Sequence, residues 1–420
     1  MVAAGIEAMH VFGGSACLDV MELARHRALD PARVANLLMR EKAVALPYED
    51  AITYGVNAAK PLLDTLSKAS KDRIEMLITC SESGIDFGKS MSTYIHHYLG
   101  LHRNCRLFEL KQACYSGTAG LQMAVNFILS QTSPGAKALV VATDVARAVV
   151  VEGGDALNTD LSYGEPSSGA GAVAMLVGEH PTVFQVDVGA SGYYGYEVMD
   201  TCRPTPDGEA GDPDVSLISY LHCCEQAFLE YQRRVEGADY RQTFQYLVFH
   251  TPFGGMMKGA HRTMMRKLAK AQRPEIEADF QQRVLPGLTY CQRVGNIMGG
   301  TLFLALAGTI DQAYFDIPQR IGCFAYGSGC CSEFFSGVVT PAGRERLQRC
   351  EIAKRLDERY QLSMDEYDAV LRGSGSVKFG TRNVTLDLGC IPGVLASYHG
   401  QQRLVLQAIS DYHRKYAWLP

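Results

Sequence analysis

The stretch Leu110-Lys-Gln-Ala-Cys114-Tyr-Ser-Gly-Thr-Ala-Gly120 follows a short strand-like segment and opens an apolar helix rich in small residues. A cysteine at this point lies near unpaired backbone N–H groups and the positive end of the helix dipole, which favour the thiolate over the thiol. Small residues at Gly117, Ala119 and Gly120 allow close packing around a narrow site. The stretch therefore predicts Cys114 as a nucleophile. The alternative is a buried cysteine that acts as a small hydrophobic residue.

Outward from this stretch, apolar runs rich in β-branched residues alternate with longer segments of helical period. This alternation is typical of an α/β protein with buried, mostly parallel strands. Strands are predicted at residues 74–80, 136–143, 171–177, 182–188, 244–250, 320–326 and 333–339. Helices are predicted at residues 87–99, 117–130, 217–235, 255–271, 275–284, 301–314 and 401–418.

The chain is predicted to consist of two halves of similar size, residues 1–178 and 179–420, which divide near Gly178. Residues 207–214 contain proline, glycine and acidic residues and are expected to form a surface excursion, not a linker between independent domains. No short repeat, low-complexity tract or block of like charges interrupts this plan.

The composition is that of a globular protein able to bury a large core, since 47% of the 420 residues are hydrophobic and 20% are charged. No apolar run approaches the roughly 20 residues needed to cross a bilayer. The amino terminus lacks the basic head and long apolar stretch of a signal peptide, so a cytoplasmic protein is expected. The formal net charge of -5 gives no reason to expect nucleic acid binding.

The 13 cysteines are scattered through the chain and mostly lie inside apolar segments, which predicts buried free thiols in place of disulfides. The adjacent pairs Cys223-Cys224 and Cys330-Cys331 lack the usual spacing of metal ligands, and no C-x-x-C pair occurs. No metal site is therefore expected.

Several blocks of this sequence match one known family in their order along the chain. The run Ala113-Cys114-Tyr115-Ser116-Gly117-Thr118-Ala119 resembles the nucleophile segment of the 3-hydroxy-3-methylglutaryl synthases, which belong to the thiolase superfamily. The other matching blocks are Ser81-Glu82-Ser83-Gly84-Ile85-Asp86, Asp144-Val145-Ala146, Pro166-Ser167-Ser168-Gly169-Ala170-Gly171-Ala172-Val173, His250-Thr251-Pro252-Phe253, Gly295-Asn296-Ile297-Met298 and Tyr326-Gly327-Ser328-Gly329. Several blocks in the right order are a strong signal, although any one would be weak. The resemblance implies a thiolase fold with two similar βα halves in a layered α/β/α/β/α arrangement.

The resemblance implies a Claisen-like condensation that joins an acetyl thioester to the ketone of a β-ketoacyl thioester. Cys114 would accept the acetyl group, while its own N–H and one from the Gly327-Ser328-Gly329 turn stabilise the oxyanion. Glu82 would remove a proton from the acetyl methyl group, which requires a desolvated carboxylate. His250 would polarise and protonate the ketone oxygen. The alternatives are a helix-capping role for Glu82 and a purely structural histidine.

The same resemblance predicts further substrate-binding residues. Asn296 would orient a substrate carbonyl or the histidine through its amide, with a capped turn ahead of the following helix as the alternative. Ser328 lies in the predicted oxyanion turn, and Pro252 fixes the exit of the chain after His250. Two side chains are predicted to touch a phosphopantetheine arm, Ser167 and Ser216.

The rim of the site should decide between coenzyme A and an acyl carrier protein, because both present phosphopantetheine. Coenzyme A adds a nucleotide and a 3′-phosphate that basic side chains usually grip. Family members that use it commonly have a lysine two residues beyond the aromatic residue of the His250 block, where this sequence has Gly255. A tyrosine that often follows the 144–146 block is also absent, since Ala148 stands there beside Arg147. These departures resemble the carrier-dependent branch of polyketide pathways, of the curacin type, which installs a β-branch with acetyl from a donor carrier.

A carrier protein is acidic, so the tunnel mouth should present positive charge. The predicted contacts are Arg33, Lys258 and Arg266, with solvated helix faces as the alternative for each. No bound cofactor is expected, since the phosphopantetheine arm, or acetyl coenzyme A in the alternative, is itself a substrate. A homodimer is expected by analogy with thiolase-like folds.

Three alternatives to this function remain open or disfavoured. The coenzyme A-dependent synthase of the mevalonate pathway would share the three catalytic residues. A non-catalytic homologue that docks carrier proteins would keep the fold without acylation of Cys114. A decarboxylative ketosynthase is disfavoured, because loss of CO₂ from malonyl generates the enolate without a glutamate base.

Overall fold

The computed structural model describes residues 2–146, 164–205 and 208–419. The strands in these ranges are β1 (Gly5–Phe12), β2 (Ala16–Asp19), β3 (Glu41–Val44), β4 (Ile74–Cys80), β5 (Arg106–Leu110), β6 (Lys137–Val145), β7 (Ala170–Gly178), β8 (Phe184–Gly195), β9 (Thr201–Thr205), β10 (Gly208–Gly211), β11 (Tyr246–Phe249), β12 (Gln319–Gly327), β13 (Cys331–Val339), β14 (Tyr360–Gln361), β15 (Val384–Thr385), β16 (Arg403–Ser410) and β17 (His413–Leu419). The helices are α1 (Val20–His26), α2 (Pro31–Asn36), α3 (Ala51–Asp64), α4 (Lys68–Lys71), α5 (Ser92–Leu99), α6 (Ser116–Leu129), α7 (Gly164–Ser167), α8 (Pro213–Arg234), α9 (Gly254–Leu268), α10 (Arg273–Asp279), α11 (Leu285–Val294), α12 (Thr301–Gln312), α13 (Pro341–Gln348), α14 (Ile352–Asp357), α15 (Met364–Ser374) and α16 (Pro392–Ser397). A π-helical stretch, Phe280–Val284, joins α10 to α11, and a 3-10 turn, Met298–Gly300, precedes α12.

A mixed sheet of nine strands runs through the described part of the chain, in the order β11-β12-β13-β8-β1-β7-β6-β4-β5. β4 is parallel to both β5 and β6, and β11 is parallel to β12. The other neighbours are antiparallel, so the prediction of mostly parallel strands is wrong. The reason is that a continuous apolar run indicates a strand buried on both faces, whichever way its neighbours run.

Helices cover both faces of this sheet. α3 packs against β1, β6 and β7, and α6 packs against β4, β5 and β6. These helices lie on opposite faces, because Leu139 and Val141 of β6 belong to the apolar cluster that includes α3, whereas Val140 and Ala142 belong to the cluster that includes α6. α6 also contacts α12, which lies against β11 and β12, and α8 packs against β8, β12 and β13. α3 therefore lies in one outer helix layer, α6 and α12 lie in a central layer, and α8 lies in the other outer layer. Parts of the sheet lie between these helix layers.

The parallel strands bring distant segments to one edge of the sheet. β4 ends at Cys80, β5 at Leu110 and β6 at Val145, and all three run in the same direction. The segments that follow β4 and β5 therefore leave the sheet side by side. In α/β sheets, ligands bind outside the carboxyl ends of such strands.

Some predicted elements agree with the structure and others do not. The strand predicted at residues 74–80 coincides with β4 (Ile74–Cys80). The helix predicted at residues 87–99 begins only at Ser92. The helix predicted at residues 401–418 is wrong, because β16 and β17 form an antiparallel hairpin there. Its turn residues Asp411 and Tyr412 have φ values of 47° and 67°, the left-handed conformation that glycine or asparagine usually supplies. Without a glycine or asparagine at these two positions, the sequence gives only a weak turn signal.

The predicted boundary near Gly178 coincides with the end of β7. Strands on either side of it belong to the same sheet, because β1 pairs with both β7 and β8. The division into residues 1–178 and 179–420 stays a prediction. None of the helices in the described ranges combines the length and the apolar character that a membrane span requires.

Candidate active site

Cys114 and Glu82 are in direct contact. The Cys114 Sγ donates a hydrogen bond to the Glu82 Oε1 at 3.5 Å. Glu82 follows the end of β4, and Cys114 lies between the end of β5 and the start of α6. The Glu82 side chain is only 16% exposed, so its carboxyl group is largely shielded from solvent. The structure thus brings together the two residues predicted as base and nucleophile.

Asp144 holds the segment that carries Glu82. Its Oδ1 accepts hydrogen bonds from the Ser81 hydroxyl, the Glu82 N–H and the Ser83 N–H, each near 2.9 Å. Burial, and then the neighbouring Glu82 carboxylate, raise the pKa of Asp144 to about 7. Asp144 belongs to one of the matching blocks, but its contact with the Glu82 segment depends on the parallel pairing of β6 with β4. That pairing has no local signal in the sequence.

The thiol form of Cys114 is favoured in this site. Burial, followed by the charges of Glu82 and Asp144, raises the pKa of Cys114 well above its usual range, and Arg203 acts in the opposite direction. Burial first, and then the two carboxyl groups, act against the thiolate that the helix start was predicted to favour, and α6 begins only at Ser116.

Arg203 is a site residue that sequence reasoning missed. Its Nε lies 3.3 Å from the Glu82 Oε2, and its side chain is 16% exposed. It belongs to β9, which pairs with β10 in a two-stranded hairpin. The predicted surface excursion at residues 207–214 overlaps β10, and residues 206–207 lie outside the described ranges. Proline and glycine hid the strand pattern that places Arg203.

The Gly327-Ser328-Gly329 turn packs against the nucleophile segment. A Cβ at Gly327 would lie 2.6 Å from the Gln112 carbonyl oxygen and from the Tyr115 nitrogen. The Ser328 Oγ accepts a hydrogen bond from the Thr201 hydroxyl at 2.8 Å. The turn thus adjoins Cys114, where the sequence predicted an oxyanion hole.

His250 lies at the end of β11, beside the strand that leads into this turn. Its N–H donates to the Phe324 carbonyl at 2.7 Å, and its carbonyl accepts from the Tyr220 hydroxyl at 2.6 Å. The imidazole is fully buried, and its Nδ1 has no hydrogen-bond partner among the described residues. Burial lowers the pKa of His250 to about 3, so the ring is neutral at physiological pH.

The Asn296 block packs onto the start of α6. The Asn296 Oδ1 accepts hydrogen bonds from the Met298 N–H at 3.0 Å and the Thr301 hydroxyl at 2.8 Å. This is the capped turn that was the alternative role of Asn296. A Cβ at Gly299 would lie 2.3 Å from the Ser116 Oγ, which shows how tightly the block adjoins the nucleophile helix. The amide nitrogen of Asn296 is the group through which it would bind a substrate.

The other predicted binding residues lie on separate elements. Ser167 ends α7, and its hydroxyl donates to the Gly164 carbonyl at 3.2 Å. Ser216 lies half-buried in the first turn of α8, and Pro252 lies half-buried just before α9. Their contacts with a substrate stay predictions. Within the described ranges, no group of three His, Cys, Asp or Glu side chains is arranged to hold a metal ion.

The rim residues lie on two helices that touch. Arg33 is exposed on α2, and Arg266 is exposed on α9. Lys258, also on α9, forms an ion pair with Glu277 at 2.9 Å, which reduces the charge it offers to a partner. Arg147 and Ala148, where the sequence departs from the family pattern, lie outside the described residues.

Gly255 explains how closely α2 and α9 approach. Its N–H donates to the Leu37 carbonyl at 3.2 Å. A Cβ at Gly255 would lie 2.3 Å from the Asn36 carbonyl oxygen. No side chain fits at this position unless α2 moves.

Comparisons with known proteins show the family to which this chain belongs. Two family models match the chain, Hydroxymethylglutaryl-coenzyme A synthase N terminal over residues 2–182 and C terminal over residues 261–383. The polyketide biosynthesis 3-hydroxy-3-methylglutaryl-ACP synthase PksG of Bacillus subtilis is 72% identical over 100% of both chains. The hydroxymethylglutaryl-CoA synthase of Enterococcus faecalis is 32% identical and covers 87% of this chain and 91% of its own.

Solved structures give the same result. The curacin biosynthetic pathway HMG synthase, in complex with its holo donor-ACP, matches with a TM-score of 0.96 and 65% identity, over 99% of this chain and 100% of that chain. The PksG structure matches with a TM-score of 0.95 and 70% identity over 100% of both chains. The thiolase fold predicted from the sequence is thereby confirmed, and the chain belongs to the hydroxymethylglutaryl-coenzyme A synthase family.

Proposed function

We propose that this chain takes an acetyl group from a donor acyl carrier protein and condenses it with the β-ketone of a polyketide intermediate on an acceptor carrier protein. The product is a 3-hydroxy-3-methylglutaryl-like β-branch. One observation carries the proposal: the chain is 72% identical to a synthase named for the ACP substrate, against 32% for a coenzyme A synthase. The contact between Cys114 and Glu82 supplies the nucleophile and base that this condensation needs.

In the proposed first step, the Cys114 sulfur attacks the acetyl thioester. A new sulfur–carbon bond replaces the one to pantetheine, and the thiol proton leaves with the pantetheine sulfur. Negative charge develops on the carbonyl oxygen in the tetrahedral intermediate. Backbone N–H groups of Cys114 and the Gly327-Ser328-Gly329 turn would stabilise this charge. The contact of this turn with Gln112 and Tyr115 supports that placement.

In the proposed second step, Glu82 takes a proton from the acetyl methyl group, and the enolate forms a carbon–carbon bond to the ketone. His250 would donate a hydrogen bond to the ketone oxygen as a neutral imidazole, because burial lowers its pKa to about 3. The resulting alkoxide would take the imidazole proton of His250, and the proton removed by Glu82 would return to the imidazole through solvent. Water then hydrolyses the thioester at Cys114 and releases a carboxylate product.

The carrier specificity is supported by the rim of the site. At Gly255, where a lysine would grip coenzyme A, the Asn36 carbonyl leaves no room for a side chain. Exposed Arg33 and Arg266 offer positive charge to an acidic carrier. We propose that only the phosphopantetheine arm of the carrier enters the site, where Ser167 would lie beside it. All 13 cysteines are free thiols, which supports a cytoplasmic location.

Acetylation from two donors tests this function. We expect acetyl-carrier protein to load Cys114 about 10²-fold more efficiently, by kcat/KM, than acetyl coenzyme A. The reason is that Gly255 replaces the lysine that would grip the phosphates of coenzyme A, whereas the acidic surface of a carrier protein can make further contacts with the rim. The measurement is the mass gain of one acetyl group on the intact protein, with Cys114→Ala as the blank. Equal efficiency from both donors would favour the mevalonate-type synthase. Loading from neither donor would favour a docking homologue.

We also propose a homodimer that forms through β5. β5 is the edge strand of the described sheet and lies beside the nucleophile segment, and Met123 on the adjacent α6 is 48% exposed. An edge strand offers unpaired backbone groups to a second copy. Met123→Asp is expected to convert a dimer to a monomer in sedimentation velocity. Leu229→Asp, on the distant helix α8, is the control and should leave the dimer intact. A wild-type monomer would contradict the proposal.

A further inference from the structure

We propose that Arg203 is a positioning residue for Glu82: it pairs with the carboxylate and aims it between the Cys114 sulfur and the acetyl methyl group. This proposal rests on the proposed function of Glu82 as base.

The two carboxylate oxygens of Glu82 contact two different side chains. Oε1 accepts the hydrogen bond from the Cys114 Sγ at 3.5 Å, and Oε2 lies 3.3 Å from the Arg203 Nε. Both side chains of the ion pair are 16% exposed, so water screens their attraction less than at an open surface. The guanidinium thus fixes the rotation of the carboxylate and leaves Oε1 directed at the reacting sulfur.

The charges around Glu82 require a cation. The buried carboxyl of Asp144 binds the Glu82 N–H, and its pKa is raised by burial and by the charge of Glu82. Glu209 of β10 adds another negative charge near Arg203 and Glu82. Arg203 opposes this accumulation of negative charge, since it acts on Asp144, Glu209 and Cys114 to lower their pKa values. Among the described residues, Arg203 is the cation within ion-pair distance of Glu82.

β9 links this ion pair to the predicted oxyanion turn. Thr201 and Arg203 are two residues apart on the strand and therefore lie on the same side of it. The Thr201 hydroxyl donates to the Ser328 Oγ at 2.8 Å, while Arg203 reaches Glu82. The preceding Asp200 accepts the Gly329 N–H at 2.9 Å. The short strand β9 thus fixes the position of Glu82 relative to the Gly327-Ser328-Gly329 turn.

The test compares Arg203→Gln and Arg203→Lys in the full-length protein, with acetyl loading of Cys114 and single-turnover condensation measured separately against pH. For Arg203→Gln we expect condensation to fall about 10²-fold at neutral pH, because the Glu82 carboxylate is no longer aimed at the acetyl methyl group. The loading profile should move to higher pH, because Arg203 acts to lower the pKa of Cys114 in the wild type. Arg203→Lys, which restores the charge but not the fork, should recover part of the rate and most of the profile.

Arg320→Gln is the matched control, because Arg320 forms an exposed ion pair with Asp187 at 2.8 Å far from the site. It should change neither profile. A purely structural role for Arg203 would lower the rates without moving the pH profile, and that result would overturn the proposal. Failure of wild-type Cys114 to become acetylated would instead overturn the proposed function, so the two failures are distinguishable.

Discussion

Glu82→Gln is expected to leave acetylation of Cys114 intact and to lower the condensation rate by about 10³-fold. The amide cannot accept a proton from the acetyl methyl group, so enolate formation loses its base. Loading survives because it needs only the Cys114 sulfur, a thioester and the oxyanion donors. A loss of this size corresponds to about 4 kcal/mol in the barrier of the second step.

The pH dependence of loading should change in a defined direction. In the wild type, the Glu82 charge is one of the causes that raise the pKa of Cys114. The substitution removes this charge, so the pKa of the thiol falls and the thiolate forms at lower pH. The loading profile of Glu82→Gln should therefore move to lower pH, opposite to the shift expected for Arg203→Gln.

Mass spectrometry of the intact protein measures loading, and a single turnover with β-ketoacyl carrier protein measures condensation. Glu75→Gln is the control, because Glu75 lies on the same strand β4 near its opposite end. It should leave both steps unchanged. Should loading disappear in Glu82→Gln, then Glu82 serves the thiol as well as the methyl group, and the proposed division of labour fails.

His250→Ala is expected to lower condensation by about 10³-fold, with acetyl loading retained. The fully buried imidazole would otherwise polarise the acceptor ketone, which plays no part in loading. Burial lowers the pKa of His250 to about 3. The wild-type condensation profile should therefore show no inflection near pH 6.5 that is caused by His250, and the profiles of wild type and His250→Ala should have the same shape in that region.

Single-turnover kinetics across pH 5 to 9 and circular dichroism of the folded variant provide the measurements. His180→Asn, an exposed histidine beyond the far end of β7, is the control and should match the wild type. Loss of loading in a folded His250→Ala variant would contradict the role assigned to His250 and would place it in acetyl transfer.

The sequence predicted the candidate residues that lie inside recognisable blocks. Cys114 lies just before a helix, and Glu82 and His250 follow buried strands, so local patterns and the order of blocks sufficed. Contact between Cys114 and Glu82 follows from the parallel pairing of β4 with β5, which the structure shows. The catalytic roles of these residues stay predictions.

The missed features depend on contacts between distant segments. The favoured thiolate was predicted from the helix start, which is local, but Glu82 and Asp144 approach Cys114 from other segments of the chain. Arg203 lies in a hairpin whose prolines and glycines hide any periodicity. The prediction of strand direction was wrong for the same reason. Burial determines which residues of a strand are apolar, but it does not determine which strand it pairs with or in which direction.

The contact between Gly255 and the Asn36 carbonyl bears on how donor preference evolves. A lysine at this position would place its Cβ 2.3 Å from that oxygen, so α2 would first have to retreat. A lysine at residue 255 can therefore be accommodated in this chain only together with a change in the position of α2. If donor preference depends on this residue, as proposed, replacements that move α2 must accompany the lysine.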